Sequence, residues 1–98
     1  MTPPIRAVAP WRVKSVAALA DFRLSVTFVD GLSGTVDMSE MITSPSAGVF
    51  ADLRDESLFD QVFVEHGAVT WPGELDLAPD AMHAAIDAHG EWTIPSSR

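Results

Sequence analysis

Asp80, His83 and Asp87 have the side-chain types and the spacing of a site. They stand at i, i+3 and i+7, so on a helix they share one face, where oxygen and nitrogen donors on successive turns can chelate a divalent ion. The plainer reading is a solvated polar stripe. Met82, Ala85, Ile86 and His89 form the opposite, more apolar face that a helix turns toward a core. With one histidine and no thiolate, a tight site needs ligands from elsewhere, and neither a metal nor another cofactor is expected. Just upstream, Trp71 and Asp76 fall in "VTWPGELDLAP". Trp71 can wall a ligand pocket, but an indole ending a strand more simply fills the core beside Phe28 and Ile86. Asp76 can serve as a general base or a ligand contact, or it can brace the irregular backbone between Gly73 and Pro79. Glu65 and His66 are adjacent, which suits a turn better than an acid–base pair. The candidate contacts for a ligand or partner are therefore Trp71, Asp76, Asp80, His83 and Asp87, and no residue is assigned a catalytic role.

The rest of the chain adds no catalytic signature. There is no Ser/His/Asp order, no glycine-rich phosphate loop after a strand, and no histidine pair at i, i+4. Cysteine is absent, which removes disulfides, Cys-ligated zinc, iron–sulfur clusters and thiol catalysis. The net charge of -8 is unevenly placed: from Asp55 to Ser97 there are nine acidic residues and no Lys or Arg. Such a field repels phosphate backbones and anionic lipid, so direct nucleic-acid or membrane binding is not expected. It does suit a basic partner protein. No apolar run reaches the roughly 20 residues of a membrane span, and the start lacks the h-region of a signal peptide, so a cytoplasmic location is expected.

These residues must be positioned by a single small domain. A chain of 98 residues buries only about 65% of its unfolded surface, enough for one modest core. "MTPPIRAVAP" reads as an extended, flexible lead-in, with order from about residue 11 to 89 and a second flexible stretch over 90–98. In "FRLSVTFV", Phe22, Leu24, Val26 and Phe28 alternate with polar residues, the period-2 pattern of a strand with one buried face. Asp30-Gly31 supplies a turn and "SGTVDM" a return strand, with "WRVKSVAAL" before them as the first strand of a meander. The middle, around Phe50 and Leu53, reads as short helical turns. "VFVE", His66-Gly67 and "AVTW" make a second hairpin. Pro79 at a helix start, Asp80 in its first turn and Gly90 after His89 bound a helix over 79–89. After it, "EWTIPSSR" is expected to lie loose or to add a fringe contact through Trp92. The fold class is α+β: a small antiparallel sheet of about five strands built from hairpins, with short helices in the middle and one near the C-terminus.

The ordered residues resemble a known family of small bacterial proteins, the domain of unknown function 2442. The resemblance rests on Val16, Leu24, Phe28, Gly31 and Asp37, then Gly48-Val49-Phe50 with Leu53, Phe59 and Val62. It peaks in Trp71-Pro72-Gly73, Asp76-Leu77 and Pro79-Asp80. The histidines at 66, 83 and 89 are not part of that pattern. The resemblance implies a compact α+β domain with an antiparallel sheet and no enzymatic activity. It also implies that some relatives carry an added helix-turn-helix domain, while others are encoded beside a second small protein in an arrangement like a toxin–antitoxin pair.

Three readings of function follow. The leading one is a non-catalytic interaction or regulatory module acting on a protein partner, as in a toxin–antitoxin-like pair, or on a second copy of itself. The alternatives are a small-ligand binder with a pocket near Trp71, and a metal-dependent hydrolase using His83 and neighbouring carboxylates.

Overall fold

A computed structural model describes residues 10–45, 47–73 and 75–94. Of the flexible ends expected over 1–10 and 90–98, residues 1–9 and 95–98 lie outside the described residues. The alternating segment forms β2 (Arg23–Phe28), in which Leu24, Val26 and Phe28 are fully buried and the intervening side chains face outward. Its antiparallel neighbours are β1 (Val13–Leu19) and β3 (Ser33–Asp37). Phe22 does not continue the strand's alternation. Asp21 and Phe22 both have positive φ, 63° and 59°, and form the β1–β2 turn. The next turn is wider than a two-residue hairpin. The Asp30 carboxylate accepts the Leu32 N–H at 3.0 Å, and only Gly31 takes a positive φ, 95°.

After β3, the Asp37 carboxylate accepts both the N–H and the hydroxyl of Ser39 at the start of α1 (Ser39–Thr43). A 3₁₀ segment, Gly48–Arg54, and α2 (Glu56–Phe59) complete the helical middle, with Asp55 accepting the Ser57 N–H and hydroxyl. Arg54 fixes this region. Its Nε donates to the Ile42 carbonyl at 2.8 Å and its Nη2 to the Ser44 carbonyl at 2.8 Å. The second hairpin, β4 (Phe63–Glu65) and β5 (Ala68–Trp71), turns at His66 and Gly67, both with positive φ. The two-residue β6 (Leu75–Asp76) joins β5 on its other side.

The architecture is α+β, but it has two sheets where the sequence suggested one. They run β1-β2-β3-β7 and β4-β5-β6. The extra member of the first is β7 (Glu91–Thr93), which pairs parallel to β3 in a stretch expected to lie loose or on the fringe. Helix α3 (Pro79–His89) makes this return possible: it begins with Pro79 and ends on Gly90, whose left-handed φ of 80° redirects the chain and whose N–H bonds the Ile86 carbonyl at 2.7 Å. The helix crosses close over β3 because position 34 is glycine. A Cβ there would stand 2.6 Å from the Gly90 oxygen and 2.7 Å from Ile86 Cγ2.

The two sheets meet where Val13 N–H donates to the Gly67 carbonyl at 2.8 Å, with the Arg12 side chain packed over Gly67. One core unites them. Leu24, Val26, Phe28 and Val36 from the first sheet pack in one cluster with Leu53, Phe59, Val69, Trp71, Met82 and Ile86. Each such side chain contributes about 1.5–3 kcal/mol through burial. Of the second hairpin's residues, Val62 and Val64 pack against this cluster, while Phe63 stays exposed.

Candidate functional site

Trp71 belongs to the core. Its side chain is wholly buried, its Nε1 donates to the Phe59 carbonyl at 2.9 Å, and its ring lies 5.9 Å from that of Phe59. The indole N–H is thereby satisfied, as a buried tryptophan requires. This result follows from β5, where Val69, Thr70 and Trp71 are successively buried between neighbouring strands.

The histidine and two aspartates of α3 do share one side of the helix, but they do not converge. His83 is half-buried, and its ring meets Phe28 edge to face with centroids 4.8 Å apart. Its Nε2 lies 2.9 Å from Asp30 Oδ2, a partner on the β2–β3 turn that the spacing of Asp80, His83 and Asp87 does not include. The Leu32 N–H, followed by the bond to His83, holds the Asp30 carboxyl below the usual carboxylate range. Asp80 is exposed and accepts the Ala81 N–H at 2.9 Å; Asp87 is exposed further along the helix. Among the described residues no three His, Asp or Glu side chains are grouped as a metal ion requires.

Asp76 lies exposed on β6 opposite Thr70 and opens onto a groove of about 470 Å³, with Glu65, His66, Ala68 and Pro79 around it. The groove brings together two carboxylates that are 11 residues apart in sequence. Its hydroxyl is not poised for chemistry, because Thr70 Oγ1 donates to the Ala68 carbonyl at 3.0 Å. His66 projects into solvent with its Nε2 3.6 Å from Glu65 Oε2, too long for a hydrogen bond. Among the described residues that line the groove, no hydroxyl is bonded to a base. The arrangement instead presents acidic oxygens on a shallow surface: Glu65 and Asp76 at the groove, Asp80 and Asp87 on the adjoining helix. Arg54, the last basic side chain before this half, is turned away onto backbone carbonyls.

The sequence profile of the family described as "Protein of unknown function (DUF2442)" matches residues 13–88. The chain belongs to that family. No curated protein and no solved structure matches it. The matched span of this DUF2442 domain runs from the first strand to the next-to-last residue of α3 and takes in every groove-lining and helical carboxylate named above. It stops before β7. No helix among the described residues is long and apolar enough to cross a membrane.

Two features of this DUF2442 chain were missed in the sequence. The sequence places Asp30 only in a turn, and its bond to His83 spans a separation of 53 residues that no local pattern encodes. The alternation of "FRLSVTFV" includes Phe22 in the strand, yet Phe22, with Asp21, shapes the end of the β1–β2 hairpin.

Proposed function

We propose that this DUF2442 domain is a non-catalytic interaction module that docks a basic partner protein against its acidic half. The observation that carries this reading is the exposed set Glu65, Asp76, Asp80 and Asp87, contributed by β4, β6 and α3 from a stretch, residues 55–97, that itself holds no Lys or Arg, with Arg12 reaching it from outside over Gly67. Opposed charge raises the encounter rate and selects the partner. The histidine and hydroxyl that catalysis would draw on are engaged structurally, His83 with Asp30 and Thr70 with Ala68. The same field disfavours nucleic acid and anionic membrane as direct partners. An arrangement in which the partner is a second small protein, as in a toxin–antitoxin-like pair, fits this reading.

The test is affinity capture of the full chain from its native cells at low salt, with mass spectrometry, followed by titration of the purified partner. A stoichiometric, basic protein whose affinity falls with salt is the expected result. Repeated recovery of a metabolite in place of any protein overturns the reading.

A further inference from the structure

A second concavity, of about 270 Å³, lies at the β1–β2 turn and shares no lining residue with the Asp76 groove. Phe22 and Leu19 supply its apolar part, Leu19 with 39% of its surface exposed, while Phe59, whose ring meets that of Phe22 edge to face at 5.4 Å, is itself buried beneath. Asp21, Glu56 and Asp60 complete the lining. None of these carboxylates forms an ion pair with a described residue. Arg23, the nearest basic residue in sequence, directs its Nε to the Ala20 carbonyl at 3.2 Å and does not line the groove.

We propose that this groove anchors one arginine or lysine side chain, flanked by apolar residues, from the basic partner protein. The inference rests on the interaction-module reading and names where and how that partner is gripped. Three properties of the groove select such an occupant. The exposed Leu19 side chain and the half-buried Phe22 ring offer a contact for the aliphatic stem of a long basic side chain, which lays its methylenes on apolar surface and keeps its charged head in water. Carboxylates at the rim complement that head, and an arginine fork can engage one of them through two N–H groups. The volume is below the roughly 300–1,000 Å³ of small-molecule pockets, so it suits a single side chain better than a metabolite. Interfaces concentrate their energy in anchors of this kind. Phe22 is also fixed before binding: its carbonyl accepts the Met38 N–H at 2.9 Å, which, with the Phe59 ring, holds the turn in its left-handed conformation.

The experiment is a ¹⁵N NMR titration of the full chain with a capped synthetic pentapeptide in which one arginine is flanked by leucines. One control peptide carries citrulline for arginine, and another carries serines for the leucines. Saturable shifts are expected at Leu19, Phe22, Glu56 and Asp60. Affinity should fall about tenfold, or 1.4 kcal/mol, for either control peptide and for the Glu56→Gln, Asp60→Asn double variant. Leu19→Ser should weaken binding with the fold unchanged, as seen in the dispersion of the same spectra. Shifts confined to residues 76–87 overturn the groove assignment while supporting the acidic-module reading. Absence of saturable shifts, or equal binding of the citrulline peptide, overturns the anchor; the module reading is then decided separately by the salt-dependent capture of its partner.

Discussion

His83 Nε2 stands 2.9 Å from Asp30 Oδ2, tying helix α3 to the β2–β3 turn. The Asp30 carboxyl, bonded also by the Leu32 N–H, is held below its ordinary value of 3.8. A lowered pKa in the folded state means that folding favours the ionised form. The contribution is therefore complete above 3.8 and is lost as pH falls through the lower folded value. In urea unfolding, the difference in midpoint between wild type and Asp30→Asn should be largest near neutral pH and shrink below about pH 4. A difference that does not change across the acid range contradicts this role for Asp30.

The same histidine contributes through its ring. Its edge-to-face contact with Phe28, at 4.8 Å, is worth about 0.5–1.5 kcal/mol beyond simple burial. His83→Phe should preserve that part and lose the pH-dependent link to Asp30, whereas His83→Ala should lose both. Comparing the two variants at neutral and acid pH by urea denaturation separates packing from electrostatics. Equal stability of the two variants at all pH values counts against the ring contact.

Trp71 is the residue for which stability and function should part most clearly. Truncation to Ala leaves a cavity between the sheets and strands the Phe59 carbonyl, at a cost of about 3–5 kcal/mol. Calorimetry should show a greatly lowered or absent transition. Trp71→Phe, which keeps most of the volume and loses only the indole bond, should remain folded and bind the partner like wild type. Loss of binding by a folded Trp71→Phe protein would return this residue to the list of contacts.

Gly34 sets the spacing between α3 and the first sheet. Ala at this position must push against the Gly90 backbone oxygen, which cannot swing aside as a flexible side chain can. Overpacking of this kind costs about 1–3 kcal/mol, and in a domain of this size each kcal/mol lowers Tm by about 4–8 °C. Gly34→Ala should therefore melt several degrees below wild type. An unchanged Tm shows that the helix can shift freely, contrary to the close crossing described here.

Legibility in the sequence followed the range of the interactions. β2 was readable because alternation of Leu24, Val26 and Phe28 is a local consequence of one buried face. Helix α3 was readable because Pro79 and Gly90 punctuate it. By contrast, β7 has three residues and owes its existence to parallel pairing with β3, more than 50 positions earlier, which leaves no period to detect. The division into two sheets was hidden for a related reason: β6 has two residues, and the junction depends on Val13 meeting Gly67. At the candidate site, the exposure of Asp80 and Asp87 followed from their helical face. The burial of Trp71 agreed with the preference of an indole for the core, but the withdrawal of His83 toward Asp30 required the folded chain.

The interaction-module reading makes a kinetic prediction at Asp80 and Asp87. Both are exposed, and the bond that Asp80 accepts from the Ala81 N–H is local to the helix start. Their replacement by Asn preserves shape and changes charge, so the fold should survive; loss of the favourable Asp80 charge at the helix N-terminus costs about 0.3–1 kcal/mol. If these carboxylates steer a basic partner, the double variant should associate more slowly while dissociating at a nearly unchanged rate, because rim charges act chiefly on encounter. Wild-type association should also slow as salt rises beyond about 0.15 M, where the screening length contracts below about 8 Å, and the double variant should show a flatter salt dependence. Surface plasmon resonance with the captured partner measures both rates. Identical association rates and identical salt slopes for wild type and variant would place the recognised surface elsewhere than on this face of α3.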